Sequence, residues 1–304
     1  MSGVSMKDIK LRIKSMESTK QITKAMEMVA ASKLRRAQER VANSRPYFEI
    51  LYDTLNTIAN NTEDFSSPYL ETREARKSCY VVIGGDRGLA GGYNSNVFKL
   101  AAACMEGKSA CVVPIGKKCL EFFRSRGVEI LTDAYSVAAD IQVGDCFTMS
   151  KMICRGFLAG EFDRVGVIYT DFVSMLSQVP EVMELLPLEY HPRPGDTESD
   201  CLTLYEPDSL SVFDAIIPEY LGGLIYGALC ESVTSEQGAR RTAMDAATKN
   251  AEEMISGLSL QYNRARQGAI TQEITEIVAG AEGTLPALPA ARNIFNHHVR
   301  ELTL

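Results

Sequence analysis

Hydrophobic and polar positions follow a helical period at both ends of the chain and break into short apolar runs in the middle. From Val4 to Ala59 there is no glycine and one proline, and Ile9, Ile13 and Met16 fall at helical spacing, which predicts a long helix. From Ala30 the steps alternate between four and three: Ala30, Leu34, Ala37, Val41, Ser44, Phe48, Leu51, Leu55 and Ile58. Eight of these nine are apolar, the signature of a coiled-coil seam and not of a wider globular stripe. Pro46 removes a backbone donor, which predicts a kink, or a break with Asn43 or Ser44 capping a second helix.

Glu219 to Ala279 lacks proline and places Ala243, Ala247, Ala251, Met254, Leu258, Tyr262, Ala265 and Ala269 on one face. Their 11-residue period predicts a nearly straight helix that a partner can approach closely over small alanines. At 1.5 Å per residue the two helices would be roughly 80 and 90 Å long, against ~50 Å for a compact globule of this length. They are therefore expected to project as an antiparallel pair. Gly222, Gly223, Gly227, Gly238, Gly257 and Gly268 lie in the second helix and each disfavours it by about 1 kcal/mol relative to Ala. An exposed pair would be marginal, so a surrounding partner is expected.

Between the helices, Cys79–Gly84, Ala110–Ile115, Val128–Thr132 and Arg164–Thr170 read as strands, with Asn94–Glu106, Lys117–Ser125 and Asp145–Ala159 as helical crossovers. That alternation implies a largely parallel sheet covered on both faces. The expected fold class is α/β: a long antiparallel coiled coil of the N- and C-terminal helices, with a Rossmann-like α/β domain inserted between them. The expected divisions are residues 1–60 and 208–282 for the shaft, 77–204 for the α/β domain, and a flexible extension at 283–304.

Composition narrows the function. The 304 residues are 45% hydrophobic and 23% charged, as in soluble globular proteins. No run of consecutive apolar residues approaches a membrane span, so the chain is not expected to cross a bilayer by itself. Eight cysteines without a C-x-x-C pair argue against a zinc ribbon or disulfide scaffold and for reduced thiols. The net charge of -7 is unevenly spread: residues 1–45 carry 11 Lys/Arg against 4 acids, and residues 208–282 carry 5 against 11. These ends either attract each other or serve separate partners.

Gly84 to Asn96 (GGDRGLAGGYNSN) sits after the first strand, where phosphate-binding loops occur, but it lacks G-x-G-x-x-G. Gly116-Lys117-Lys118 lacks the rest of a P-loop, so no nucleotide cofactor is expected. Asp86-Arg87 reads as an ion pair or turn cap. His191, His297 and His298 lie in no nucleophile motif, and the His297-His298 pair reads as a solvated tail and not as metal ligands; no metal and no catalytic residues are assigned. The basic helix Lys7 to Arg45 allows an alternative function, a basic coiled-coil nucleic-acid-binding protein with a nucleotide-binding α/β domain. It also resembles a transit peptide. Against both, Met26, Met28 and Val29 carry the apolar stripe through the basic section.

Four strings then carry a resemblance: IKLRIKSMESTKQITKAMEMVAASKLRR (9–36), DRGLAGGYNSN (86–96), SQVPEVMELLP (177–187) and SEQGARRTAMDAATKNAEEMISGLSLQYNRARQGAITQEITEIVAG (235–280). Together they resemble the gamma subunit of F-type ATP synthases over about residues 1–282. The resemblance implies a non-catalytic rotor shaft, one copy per complex. It would lie inside the hexamer of alpha and beta subunits, bind epsilon and the c-ring, and be peripheral to the cytoplasmic face of a bacterial inner membrane, without nucleic acid. It implies beta-subunit contacts at Lys24, Met26, Arg240, Arg266, Gln267, Thr271 and Glu273, and c-ring or epsilon contacts at Tyr205 and Glu206. Residues 283–304, with Pro286 and Pro289, exceed the usual family length and are expected to emerge at the shaft tip, within reach of the peripheral stalk.

Overall fold

The computed structural model describes residues 5–60, 67–74, 76–188 and 205–284. His191, His297, His298 and the extension beyond Thr284 lie outside them. The chain forms two compact units, one built from residues 1–21 with 249–304 and the other from residues 22–248. The long helices α1 (Met6–Asn60) and α5 (Ser209–Thr284) contribute to both.

Within the larger unit a five-stranded sheet is ordered β3-β2-β1-β4-β5. Its strands are β1 (Lys77–Ile83), β2 (Ser109–Ile115), β3 (Glu129–Ile130), β4 (Arg164–Phe172) and β5 (Gln178–Leu186). The first four run parallel, and β5 returns antiparallel to β4 with a register shift at Val165/Gly166. The crossovers α2 (Tyr93–Met105), α3 (Lys117–Ser125) and α4 (Val143–Leu158) fall within two residues of the predicted segments.

Both faces of the sheet are covered. On one face, Val81, Val113 and Val167 join Met149, Ile153 and Phe157 of α4, Ile217, Leu221 and Ile225 of α5, and Leu55 and Ile58 of α1. On the other, Tyr80, Val82 and Val112 meet Val97 and Phe98 of α2 and Phe123 of α3. Each large apolar side chain fully removed from water contributes about 1.5–3 kcal/mol.

α5 enters this core closely. A Cβ on Gly222 would lie 2.4 Å from Phe147 Cδ1, and one on Gly238 would lie 3.0 Å from Phe172 Cε2. Two of the helix-weakening glycines are thus explained by tight packing inside the unit, whereas Gly227, Gly257 and Gly268 face open space. One window of α5 is long and apolar enough to cross a membrane by composition, and 44% of it is buried inside the protein. Its apolar character follows from its place in the core.

Three expectations are corrected. α1 runs through Pro46 as one helix, so the break with a cap at Asn43 or Ser44 does not occur; one missing backbone donor leaves the flanking turns bonded. β5 is unexpected as a strand, because Pro180 and the two glutamates Glu181 and Glu184 hide its alternation, and the sheet gains an antiparallel edge. Finally, Met254 is 54% exposed. From Met244 onward, Met244, Thr248, Ala251, Ile255, Leu258, Tyr262, Ala265 and Ala269 are buried or half-buried at alternating steps of four and three, with Ala243, Asp245, Ala247 and Ser259 half-buried beside them. That is a left-handed coiled-coil repeat and not the straight 11-residue face.

Candidate functional site

The seam of α1 extends further back than its apolar residues suggest. Ile9, Ile13, Met16, Lys20, Thr23, Glu27, Ala30, Leu34, Ala37 and Val41 are all buried or half-buried, again at steps of four and three. Ser44 and Phe48, at the next two steps, have side chains outside the described set; Leu55 and Ile58 are buried beyond them.

The three polar members sit mid-seam. In the smaller unit Lys20 Nζ reaches Glu252 Oε1 at 2.8 Å. In the larger unit the Thr23 and Thr248 hydroxyls meet at 2.8 Å, and Tyr52 lies beside Tyr220 with ring centroids 6.1 Å apart. Partner numbers on α5 fall as those on α1 rise, so the helices run antiparallel. A polar pair inside a seam penalises any slip of register, because a slip leaves the hydroxyls buried and unbonded. The occupied seam also distinguishes α1 from a basic zipper, whose seam is filled by a second chain.

Met28 and Val29 do not continue this stripe: they are 60% and 56% exposed, with Ile22 at 57%, while Met26 is half-buried. Lys24 is largely exposed and pairs with Glu27 at 2.8 Å. Ile22, Met28 and Val29 thus stand exposed around the basic Lys24.

A second group forms around the glycine-rich turn. The Asp86 carboxylate accepts backbone N–H groups of Lys117 (3.3 Å), Ala138 (2.9 Å) and Ala139 (3.1 Å), so it caps turns instead of pairing with Arg87. Gly116 holds φ at +94°, and a Cβ there would lie 2.3 Å from the Gly84 carbonyl oxygen, so only glycine lets the two strand-ending loops touch. Arg240 on α5 donates to Glu236 Oε1 at 2.5 Å and to the Gly88 carbonyl at 3.3 Å. The Arg240 and Glu236 side chains are only 12% and 9% exposed. Burial raises the Glu236 carboxyl above its ordinary range, and Arg240 opposes that rise. Arg240 therefore fastens α5 to the turn, a structural role that family resemblance alone did not suggest.

The end of α5 presents a third surface. Arg266, Gln267, Thr271 and Glu273 are exposed, and the Thr271 hydroxyl donates to the Gln267 carbonyl at 2.9 Å. Ile270, Ile274, Ile277 and Val278 are 46–70% exposed on the same stretch. At the other end of α5, Tyr205 rests half-buried against the core while Glu206 is exposed. Of the nine residues implied by resemblance, Lys24, Met26, Arg240, Tyr205 and Glu206 thus belong to the larger unit, and Arg266, Gln267, Thr271 and Glu273 to the smaller.

Among the described residues no cluster of His, Cys, Asp or Glu is arranged to hold a metal ion, and the seven described cysteines are free. Burial pushes the Cys146 and Cys154 thiols up to about 12. Cys79 and Cys111 are in register across β1 and β2, and their mutual interaction raises Cys79 and lowers Cys111. Buried protonated thiols are poor nucleophiles.

Fold and surfaces define a class: a two-helix coiled coil carrying an α/β domain, with its exposed polar and apolar groups laid out as contact surfaces. The ATP synthase family profile matches residues 5–283. The ATP synthase gamma chain of Alkaliphilus metalliredigens is 45% identical over 287 residues, covering 92% of this chain and 99% of that one. The sodium-ion-specific ATP synthase gamma chain of Acetobacterium woodii is 40% identical, covering 91% and 98%. In fold, the chain aligns with a chain of the Euglena gracilis mitochondrial ATP synthase OSCP/F1/c-ring structure, with a TM-score of 0.63 at 17% identity, covering 95% and 98%. The chain belongs to the ATP synthase gamma-chain family.

Proposed function

We propose that this chain is the central-stalk rotor of an F-type ATP synthase. It turns inside the alpha/beta hexamer and couples proton or sodium flow through the c-ring to ATP synthesis. The observation that carries the reading is 45% identity to a gamma chain along 92% of the sequence. The chain is a non-catalytic component, held with epsilon and the c-ring at the cytoplasmic face of a bacterial inner membrane, one copy per complex.

The mechanism rests on asymmetry. Three identical beta subunits around one shaft each meet a different face of it, so each contact stabilises a different beta conformation. Rotation moves those contacts from one subunit to the next, and the coupling free energy shifts relative affinities for ADP, phosphate and ATP. Lys24 and Met26, beside exposed Ile22, Met28 and Val29, suit an acidic and apolar lever on beta. Arg266 and Gln267 offer exposed donors to a carboxylate loop near a beta active site, and Thr271 and Glu273 extend that surface. Exposed Ile270, Ile274 and Ile277 suit an apolar bearing around the tip. Arg240 supports the beta-facing surface through the turn that it holds. Tyr205 and Glu206 form the foot toward the c-ring and epsilon.

Co-expression with the alpha and beta subunits of the same organism tests the reading. Co-purification with sustained ATP hydrolysis above that of alpha and beta alone is expected. A chain that stays soluble by itself and fails to co-purify would overturn it.

A further inference from the structure

The larger unit contains a cavity of about 530 Å³ between the coiled coil and the loops that follow β1, β2 and β3. Six basic side chains line it: Lys33, Arg36 and Arg40 from α1, Arg87 and Lys117 from the strand-ending loops, and Arg240 from α5. Three acids line it too, Asp86, Asp140 and Glu236. Two of these are already engaged, Asp86 by three backbone N–H groups and Glu236 by Arg240. Lys33, Arg36, Arg40, Arg87 and Lys117 make no salt bridge among the described residues. The cavity is therefore strongly cationic although the chain is net acidic.

Its position strengthens the point. Successive strands run from β1 outward through β2 to β3, and β4 lies on the other side of β1. In open parallel sheets ligands bind outside the carboxyl ends of the strands, and the cavity lies at that edge, beside the loops after β1, β2 and β3 and not at the β1–β4 reversal itself. The turn does not cradle phosphate with free amides: the N–H of Lys117 is bonded to Asp86 and that of Lys118 to the Gly85 carbonyl. This is the physical content of the failed glycine motif. What the crevice offers instead is side-chain charge, with guanidinium forks that match phosphate oxygens, and an apolar wall of Ala138, Ile141, Leu229 and Val233.

We infer that this cavity is a binding site for a small multivalent phosphate anion, held by Lys33, Arg36, Arg40, Arg87 and Lys117. The ligand would bridge α1 to the loops of the sheet and so stabilise the larger unit by mass action. Two sources share this chemistry, inorganic pyrophosphate and a nucleoside polyphosphate whose organic part lies on the apolar wall.

The test is calorimetric titration of the full-length chain with sodium pyrophosphate and, separately, with magnesium-free ATP at matched ionic strength. Saturable binding to a single site is expected. Arg36→Gln and Lys117→Gln should each weaken it by about tenfold, the loss expected for one charge-assisted hydrogen bond. Arg35→Gln is the control: it removes the same charge from a neighbouring residue that pairs with Glu39 and does not line the cavity, and it should change affinity less than about twofold. ATP binding well above pyrophosphate would assign the site to nucleoside phosphates, and equal affinities would assign it to the phosphate group alone. Absence of saturable binding to either anion, or equal weakening by Arg35→Gln and Arg36→Gln, would overturn the inference. The Arg36 and Lys117 side chains are exposed and make no salt bridge among the described residues, so neither substitution threatens folding.

Discussion

Replacing Arg240 by Ala is the sharpest probe of how α5 is tied to the sheet. The side chain is 12% exposed and bonds both the 9%-exposed Glu236 and the Gly88 carbonyl. Removing one partner of a buried ion pair strands the other, and the cost is about 3–5 kcal/mol. The sign of the pH dependence follows from Glu236. Its folded carboxyl already titrates above the ordinary range because of burial, and loss of Arg240 removes the charge and the hydrogen bond that chiefly hold it down, leaving only the weaker pull of Lys33. A carboxyl raised in the folded state favours folding at pH below its unfolded value and loses that advantage as pH rises through the folded value. The stability deficit of Arg240→Ala should therefore be largest near pH 8 and shrink toward pH 5. Urea unfolding of the full-length chain at several pH values reads it directly. Adding Glu236→Gln should recover most of the deficit near pH 8, because the stranded charge is gone. A deficit below about 1 kcal/mol, or one independent of pH, would refute the buried-pair reasoning.

Further outcomes follow from the packing of the helices. Gly222→Ala places a methyl 2.4 Å from Phe147 Cδ1, and overpacking of about 1–3 kcal/mol should outweigh the helix-propensity gain. Gly227→Ala meets nothing within 4 Å and should stabilise the chain by up to about 1 kcal/mol; thermal unfolding of the two variants should shift in opposite directions. Thr23→Val should lower stability by about 1 kcal/mol, whereas Thr23→Val with Thr248→Val should cost less than two such losses; additive losses in a double-mutant cycle would contradict the hydroxyl contact.

Periodicity made the long helices and the four parallel strands readable, because burying one face forces a repeat on the residues that line it. β5 escaped because an edge strand buries little: only Leu185 and Leu186 of its nine residues are buried, so its alternation is faint. The contact residues implied by resemblance came as a string, without geometry. Nothing in the string separates Arg240, sunk beside Glu236, from Arg266, which is exposed, since both are arginines on one helix.

The polar seam shows most clearly why pattern and structure diverged. Carried backward from Ala30, the four-three rhythm lands on Glu27, Thr23 and Lys20, and an eye trained on apolar residues stops there. The seam continues because Thr23 and Thr248 satisfy each other and Lys20 finds Glu252. An all-apolar seam of alanines and leucines would tolerate sliding by a heptad, since each step would bury similar groups. A shaft that signals by presenting different faces to different partners cannot tolerate that, because a slip would move every contact residue along the axis. The polar positions lower the stability of the pair relative to an apolar seam. In return they restrict it to one register, and within the larger unit that register fixes the height of Lys24 beside the Thr23–Thr248 contact.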